Sequence, residues 1–334
     1  MKKILFLNEG VLLKRITNNT TLDIHDTEFY PMVFQYLYRI NSELGYNFVW
    51  ININPDTGNQ ENMIKHFTNE GILFSDILSN KILIEETYKI NCDPENSYII
   101  SNNKEREISK RIPVKTILLG EKTTSELIHF SDWQNIYQFL KTQPRKATVT
   151  RSTSETNIQI ELNLDGNGIS NISTGLRFFD HMLEQIARHG NVDLSIQVKG
   201  DLDIDEHHTM EDVGLALGDA TLKALGNKKG IDRYGFLLPM DDCLAQVAVD
   251  FGGRPWLVWN ADFKREKIGD VPTEMFMHFF KSFSDNARCN LNIQAEGTNE
   301  HHKIESIFKA FAKALKMAFK KNDNNTIPST KGIL

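Results

Sequence analysis

The chain has 334 residues, 40% hydrophobic and 25% charged, with 38 Lys and Arg against 44 Asp and Glu, a net charge of −6. That length holds two domains with sizeable cores, and that charge excludes the basic footprint of a nucleic-acid binder. No apolar run nears the roughly 20 residues that span a bilayer, and the run after Met1 is too short for a signal-peptide core. Cys92, Cys243 and Cys289, an odd set without CxxC spacing, exclude a disulfide framework and a zinc ribbon. The reading is a cytoplasmic protein with reduced thiols.

In chain order, Ile4–Leu7 reads as a short apolar strand and Thr27–Leu44 as a helix with apolar residues at Phe29, Val33, Tyr36, Leu37, Ile40 and Leu44. Tyr46–Ile53, Ser97–Ile100 and Lys115–Leu119 read as further strands, and Ser131–Leu140 as a closing helix. Strands alternating with helices predict a mostly parallel, doubly wound α/β domain over 1–145. The polar stretch 141–146 reads as a linker. From Ala147 the pattern changes. Thr148–Ser154 and Asn157–Leu162 alternate like antiparallel strands, with a turn signal at 165–168. A helix over 181–189, a strand near Asp193–Lys199 and a helix from about Asp205 follow. Ile231–Leu238, Ala245–Phe251, Trp256–Ala261, a helix from about Glu274, a strand Asn290–Ala295 and a helix from His301 repeat the order. Residues 146–334 thus read as a duplicated α+β domain with a sheet and helices in each half.

The duplication carries chemistry. His207-His208-Thr209-Met210-Glu211 and His301-His302-Lys303-Ile304-Glu305 are alike and stand 94 residues apart. On a helix, residues i and i+4 share a face while i+1 is turned by roughly 100°. His207 and Glu211 therefore grip one ion while His208 points at another, and His301, Glu305 and His302 repeat the arrangement. His181 precedes the first word by 26 residues and His278 the second by 23. A lone histidine is more often a core residue than a ligand; six histidines and two glutamates recurring in register point to two metal ions.

Three further motifs accompany these words: Thr174-Gly175-Leu176-Arg177-Phe178-Phe179-Asp180-His181, Gly253-Arg254-Pro255 and Pro328-Ser329-Thr330-Lys331-Gly332. Together, over roughly 146–334, the chain resembles the imidazoleglycerol-phosphate dehydratase family of histidine biosynthesis. The resemblance implies dehydration of imidazoleglycerol phosphate to imidazole acetol phosphate, a small-molecule phosphate substrate, and a homo-oligomer of 24 subunits with sites at subunit interfaces. It implies two Mn²⁺ ions stabilising an imidazolate, although Zn²⁺ and Fe²⁺ suit the same donors. One ion falls to His181, His208, His301 and Glu305, the other to His207, Glu211, His278 and His302. Glu155 is the implied general acid/base, against the plainer reading of a solvated strand residue. His189 is placed near the substrate, against the plainer reading of a helix end ahead of Gly190. Arg233, Arg254, Lys309, Ser329, Thr330 and Lys331 match substrate and phosphate contacts. One departure is Asn292, where the family often has His. Two other readings compete: a dinuclear hydrolase, and metal words that only staple subunits together.

The N-terminal domain resembles histidinol-phosphate phosphatases of the haloacid dehalogenase type, which the bifunctional form of the family joins to the dehydratase. Such enzymes place an Asp-x-Asp pair after the first strand. Here Ile4–Leu7 is followed by Asn8-Glu9-Gly10, and an amide cannot form an aspartyl-phosphate. The second strand ends Ile51-Asn52-Ile53-Asn54, without the family's Thr-Asn pair. After Ser97–Ile100 stands Ser101-Asn102 in place of Gly-Asp, and Cys92 alone replaces a cysteine-rich zinc loop. The expectation is a pseudophosphatase domain; the alternative is a bifunctional enzyme that keeps phosphatase activity.

Overall fold

The computed structural model describes residues 2–15, 27–52, 60–79, 90–94, 96–102, 112–120, 128–321 and 326–331. It divides into two compact units, Met1–Gln143 and Pro144–Leu334.

The first unit is built on a six-stranded sheet: β1 (Ile4–Leu7), β4 (Asn47–Asn52), β5 (Phe74–Ser79), β6 (Tyr98–Ser101), β7 (Lys115–Leu119) and β8 (Ile128–Phe130). Their order is β5-β4-β1-β6-β7-β8, and every pairing is parallel. Period-two alternation splits the buried side chains between two faces. Leu5, Leu7, Phe48, Trp50, Tyr98, Ile100, Ile117 and Leu119 join one core cluster. Ile4, Phe6, Val49, Ile51 and Ile99 join the other. Burial on both faces is why β1 and β6 read as continuous apolar runs. Helices α2 (Val33–Leu44), α3 (Gln60–Asn69) and α4 (Trp133–Lys141) contribute Leu37, Ile40, Phe67, Trp133 and Ile136 to the first cluster. A single turn α1 (Glu9–Leu12) leaves β1.

The predicted helix over Thr27–Leu44 is shorter than its periodicity. Thr27–Phe29 is strand β3, paired with β2 (Leu13–Arg15), and α2 begins after Met32, which takes the left-handed region at φ 59°. Pro31 explains the break: the residue before it is pushed out of the helical region. Of the second strand's expected end, Ile53 and Asn54 lie outside the described residues.

The second unit repeats one plan. In the first half, β9 (Lys146–Ser152), β10 (Thr156–Asn163), β11 (Ser170–Ser173) and β12 (Asp193–Gly200) form a sheet ordered β11-β12-β10-β9, with α5 (Arg177–Gly190) and α6 (His207–Leu225). In the second half, β13 (Tyr234–Met240), β14 (Cys243–Asp250), β15 (Trp256–Asn260) and β18 (Asn290–Glu296) form a sheet ordered β13-β14-β18-β15, with α7 (Met275–Ala287) and α8 (Glu300–Phe319). Both sheets hold one parallel pairing, β11 with β12 and β15 with β18. A small hairpin, β16 (Lys267–Ile268) with β17 (Val271–Pro272), is inserted in the second half. The sequence reading placed no strand at β11, whose Ser-Asn-Ile-Ser carries one apolar residue. It ended the first helix at His189; the helix continues through Gly190, and Asn191 takes the left-handed position.

The shared core is aromatic. Phe279, Phe280, Phe308 and Phe311 pack ring against ring with centroids 5.0–5.4 Å apart. Helices α6 and α7 approach closely because Gly214 and Gly218 let them. A Cβ on Gly214 would stand 2.7 Å from the Phe279 carbonyl oxygen, and one on Gly218 2.6 Å from that of Phe283. Both distances are closer than any side chain tolerates, so these glycines set the helix spacing.

Candidate metal centre and active site

Each histidine word starts a helix, and local capping fixes where it starts. The Asn299 side chain accepts the backbone N–H groups of His301 and His302, satisfying donors that the first turn of α8 leaves without partners. Asp205 accepts the N–H of His207 at the start of α6 (2.9 Å). Asp270, in the β16–β17 turn, accepts the N–H groups of Arg177 and Phe178 and so holds the start of α5.

Packing then brings ligands together across the two halves. His207 Nε2 lies 2.9 Å from Glu211 Oε1 on α6, and His278 Nδ1 on α7 lies 2.7 Å from the same oxygen. His301 Nε2 lies 3.5 Å from Glu305 Oε2 on α8, and His181 on α5 completes that group. Within each set, His207–Glu211–His278 and His181–His301–Glu305, the donor atoms lie within 4.8 Å of one another. Each word therefore takes its third ligand from the other half of the duplication. Two imidazoles and one carboxylate per group suit a first-row divalent cation, so the donor chemistry fits the ions that the sequence implies. His208 and His302 stand outside these groups. Their rings face carboxylates instead: His208 Nδ1 lies 3.1 Å from Asp201, and His302 Nδ1 lies 3.1 Å from Asp242. Sequence reasoning did not find these two aspartates. Asp201, beside the first word, left a local signal; Asp242, 60 residues before His302, left none.

Electrostatics follow the pairing. Burial works to raise the Glu305 carboxyl, but the Lys309 ammonium at 2.9 Å, with His181 and His301, outweighs it and holds the group below its usual range. The Asp201 hydrogen bond raises His208 above an ordinary imidazole, helped by the charge of Glu155. Burial, with Lys309 and Lys313, pushes His189 down.

The profile of the imidazoleglycerol-phosphate dehydratase family matches residues 174–315. Over its full length the chain is 46% identical to the histidine biosynthesis bifunctional protein HisB of Bacteroides fragilis, in an alignment of 372 positions covering 100% of both. The chain belongs to that family. The protein of the same name from Stenotrophomonas maltophilia is 39% identical over 365 positions, again 100% of both. Both alignments exceed the 334 residues of this chain, so these HisB relatives carry segments that it lacks. A crystal structure of imidazoleglycerol-phosphate dehydratase from Staphylococcus aureus subsp. aureus N315 matches 53% of this chain and 99% of that one, at 37% identity and a TM-score of 0.49.

Glu155 is exposed in the β9–β10 turn, its carboxylate 3.7 Å from His208 Nε2. Arg233 is not an unattached cation. Its guanidinium grips both carboxylate oxygens of Asp250 and donates to the Pro328 carbonyl (2.8 Å). Ser329, Thr330 and Lys331 follow directly, and the Ser329 hydroxyl accepts the Lys331 N–H. Arg254 is exposed, and Gly332 lies outside the described residues. Asn292 sits in β18, paired in register with Ala248 and Val258.

In the first unit, Asn8 stands at the carboxyl end of β1, fully buried, and neither its amide nitrogen nor its oxygen has a hydrogen-bond partner among the described residues. Ser101 ends the neighbouring strand β6, and the Asn102 amide donates to the Gly10 carbonyl (3.1 Å). The segments that follow β1 and β6 thus touch each other.

Proposed function

We propose that residues 146–334 dehydrate imidazoleglycerol phosphate to imidazole acetol phosphate in histidine biosynthesis, with two divalent ions, Mn²⁺ by preference. We further infer that residues 1–145 form a phosphatase-like domain without phosphatase chemistry. The chain would act in the cytoplasm as a homo-oligomer, in which His208 and His302 complete the metal groups of neighbouring copies. The observation that carries this reading is the pair of His₂Glu groups, each assembled from both halves of the duplication.

Bound divalent ions supply positive charge that favours an imidazole ring without its N–H proton. The chain's own residues do the rest. His181, His207, His278 and His301 with Glu211 and Glu305 would hold the ions. Glu155, exposed and facing His208, would carry the proton between the substrate carbon and the leaving hydroxyl. Burial and nearby lysines push His189 toward its neutral form, in which its ring can accept or donate a hydrogen bond without adding charge. Lys309, Arg254 and Lys331 would meet the phosphate, with Ser329 and Thr330 as hydroxyl donors. Arg233 supports this indirectly as well, since it ties the backbone at Pro328 to Asp250. In the first unit, Asn8 offers no nucleophile, and Ser101-Asn102 offers no acid for Mg²⁺.

The deciding experiment offers purified full-length protein both phosphates, with and without Mn²⁺. Acetol phosphate should form only with the metal, and histidinol phosphate should stay intact with Mg²⁺. Metal-independent dehydration would overturn the first claim. Phosphate release above ~1 s⁻¹, inside the usual enzyme range, would overturn the second.

A further inference from the structure

The second histidine of each word is held from behind. His208 Nδ1 lies 3.2 and 3.1 Å from the two oxygens of Asp201, and His302 Nδ1 lies 3.1 Å from Asp242 Oδ1. An ionised carboxylate only accepts, so each Nδ1 carries the hydrogen, and in the neutral ring each Nε2 keeps its lone pair. The two aspartates are themselves fixed. Asp201 donates its N–H to the Glu155 carbonyl (3.1 Å) and accepts the N–H groups of Ile204 and Asp205. Asp242 uses its other oxygen for the N–H groups of Thr298 and Asn299 and the Thr298 hydroxyl, which leaves Oδ1 for the imidazole.

They come from different places in the duplicated plan. Asp242 lies in the turn between β13 and β14. The matching turn in the first half joins β9 to β10, and the carboxylate there is Glu155, which faces His208 Nε2 at 3.7 Å and not Nδ1. Asp201 instead follows β12. Resting on the metal reading above, we propose that Asp201 and Asp242 are positioning residues that fix the tautomer and aim of His208 and His302, so that each presents Nε2 to a divalent ion. The duplicated hairpin turn has thereby divided its duties. In the second half its carboxylate orients an imidazole; in the first half that task has passed to Asp201, and Glu155 is released toward the ligating side of the ring.

The test is Mn²⁺ affinity, measured on full-length protein stripped of metal and titrated against a chromophoric chelator. Asp201→Asn and Asp242→Asn should each weaken binding by about 10–100-fold, the usual cost of losing such a partner, with the melting temperature of the stripped protein unchanged. Asp241→Asn is the control for charge without geometry, because Asp241 is exposed and 3.7 Å from the same nitrogen; it should stay within about twofold. Glu155→Gln should also bind Mn²⁺ within about twofold of the parent. Should Asp242→Asn unfold, because Asp242 also holds the start of α8, Asp201→Asn decides alone. Unchanged affinity in the aspartate variants, or an equal loss in Asp241→Asn, overturns the positioning role; a tenfold loss in Glu155→Gln overturns the division of duties. His208→Asn and His302→Asn separate the two levels. If they lose Mn²⁺ while the aspartate variants keep it, only this inference fails; if they too bind like the parent, the metal reading fails with it.

Discussion

The two units place polar side chains at the ends of their elements in opposite ways. In the second, the chemically competent groups are paired and aimed: Glu211 between two imidazoles, Glu305 against Lys309, Arg233 on Asp250. In the first, Asn8 is buried at the end of the central strand, and both ends of its amide are without partners among the described residues. A buried amide without partners costs free energy. On the proposed reading, a site under chemical demand organises its polar groups, whereas a site released from that demand can keep a residue that fits the space and nothing else. The fold survives in both units because it rests on the apolar clusters, not on these groups.

This contrast is broken most severely by removing a carboxylate from either metal group. Glu211→Gln and Glu305→Gln should each lower turnover with saturating Mn²⁺ by about 10³-fold, the rate equivalent of roughly 4 kcal/mol of lost charge stabilisation. The two losses should be similar, because the groups are built alike from opposite halves. Steady-state turnover beside metal content per chain checks this, and a variant that keeps near-parental turnover would remove its group from the reaction. The next effect is that of Glu155→Gln. As a proton carrier outside both groups, Glu155 should cost about 10²-fold in kcat, the lower end for general acid/base catalysis. Little change in KM would place the loss in the chemical step.

The helical spacing of the two words was legible in the sequence because i and i+4 share a face wherever the backbone is helical. The parallel sheet was legible too, since Ile4–Leu7 and Tyr98–Ile100 are apolar throughout, as strands buried on both faces tend to be. The exchange of His181 and His278 between halves came from the family resemblance and not from spacing. It depends on α6 and α7 touching at Gly214 and Gly218, and on α5 touching α8, contacts that no local pattern encodes. Asp242 was invisible for the same reason, being brought to the start of α8 by the long-range pairing of β14 with β18. The start of α2 was misjudged because apolar periodicity outran Pro31, and Arg233 was read as an uncommitted cation because its partner, Asp250, arrives only through strand pairing of β13 with β14.

A smaller effect sharpens the contrast from the other side. If Asn8 is held only by space, Asn8→Leu should leave the first unit within about 1 kcal/mol of the parent, or stabilise it, since an apolar group of similar shape removes the desolvation cost. Asn8→Asp should do the reverse. A buried carboxylate with no cation recorded beside it among the described residues costs about 3 kcal/mol at neutral pH, and it does not rebuild the missing partners at 10 and 102. Hydrogen exchange of the β1 amides reads both changes within the first unit. Faster exchange in Asn8→Leu would show that the amide does have a partner, and phosphatase activity in Asn8→Asp would contradict the view that the site is lost at several positions.

The smallest effect lies where the second unit begins. Arg145 is clamped on Asp165, with Nη2 2.6 Å from Oδ1, and donates to the Phe319 carbonyl (2.7 Å), joining the start of the first sheet to the end of α8. Burial works to raise the Asp165 carboxyl, but its bonds to Arg145 outweigh that and lower it. A carboxyl lowered on folding stabilises fully above its unfolded value, about 3.9, and that contribution is lost as pH falls through the folded value. Asp165→Asn should therefore melt slightly below the parent at pH 6–7, and the gap should close as pH drops below about 4. Because Asp165 is partly open to solvent, the gap should correspond to less than about 1 kcal/mol. Thermal melts of metal-stripped parent and variant across this range check the sign, and a gap that widens toward acid would mean that the Arg145 contact is not what holds the carboxyl down.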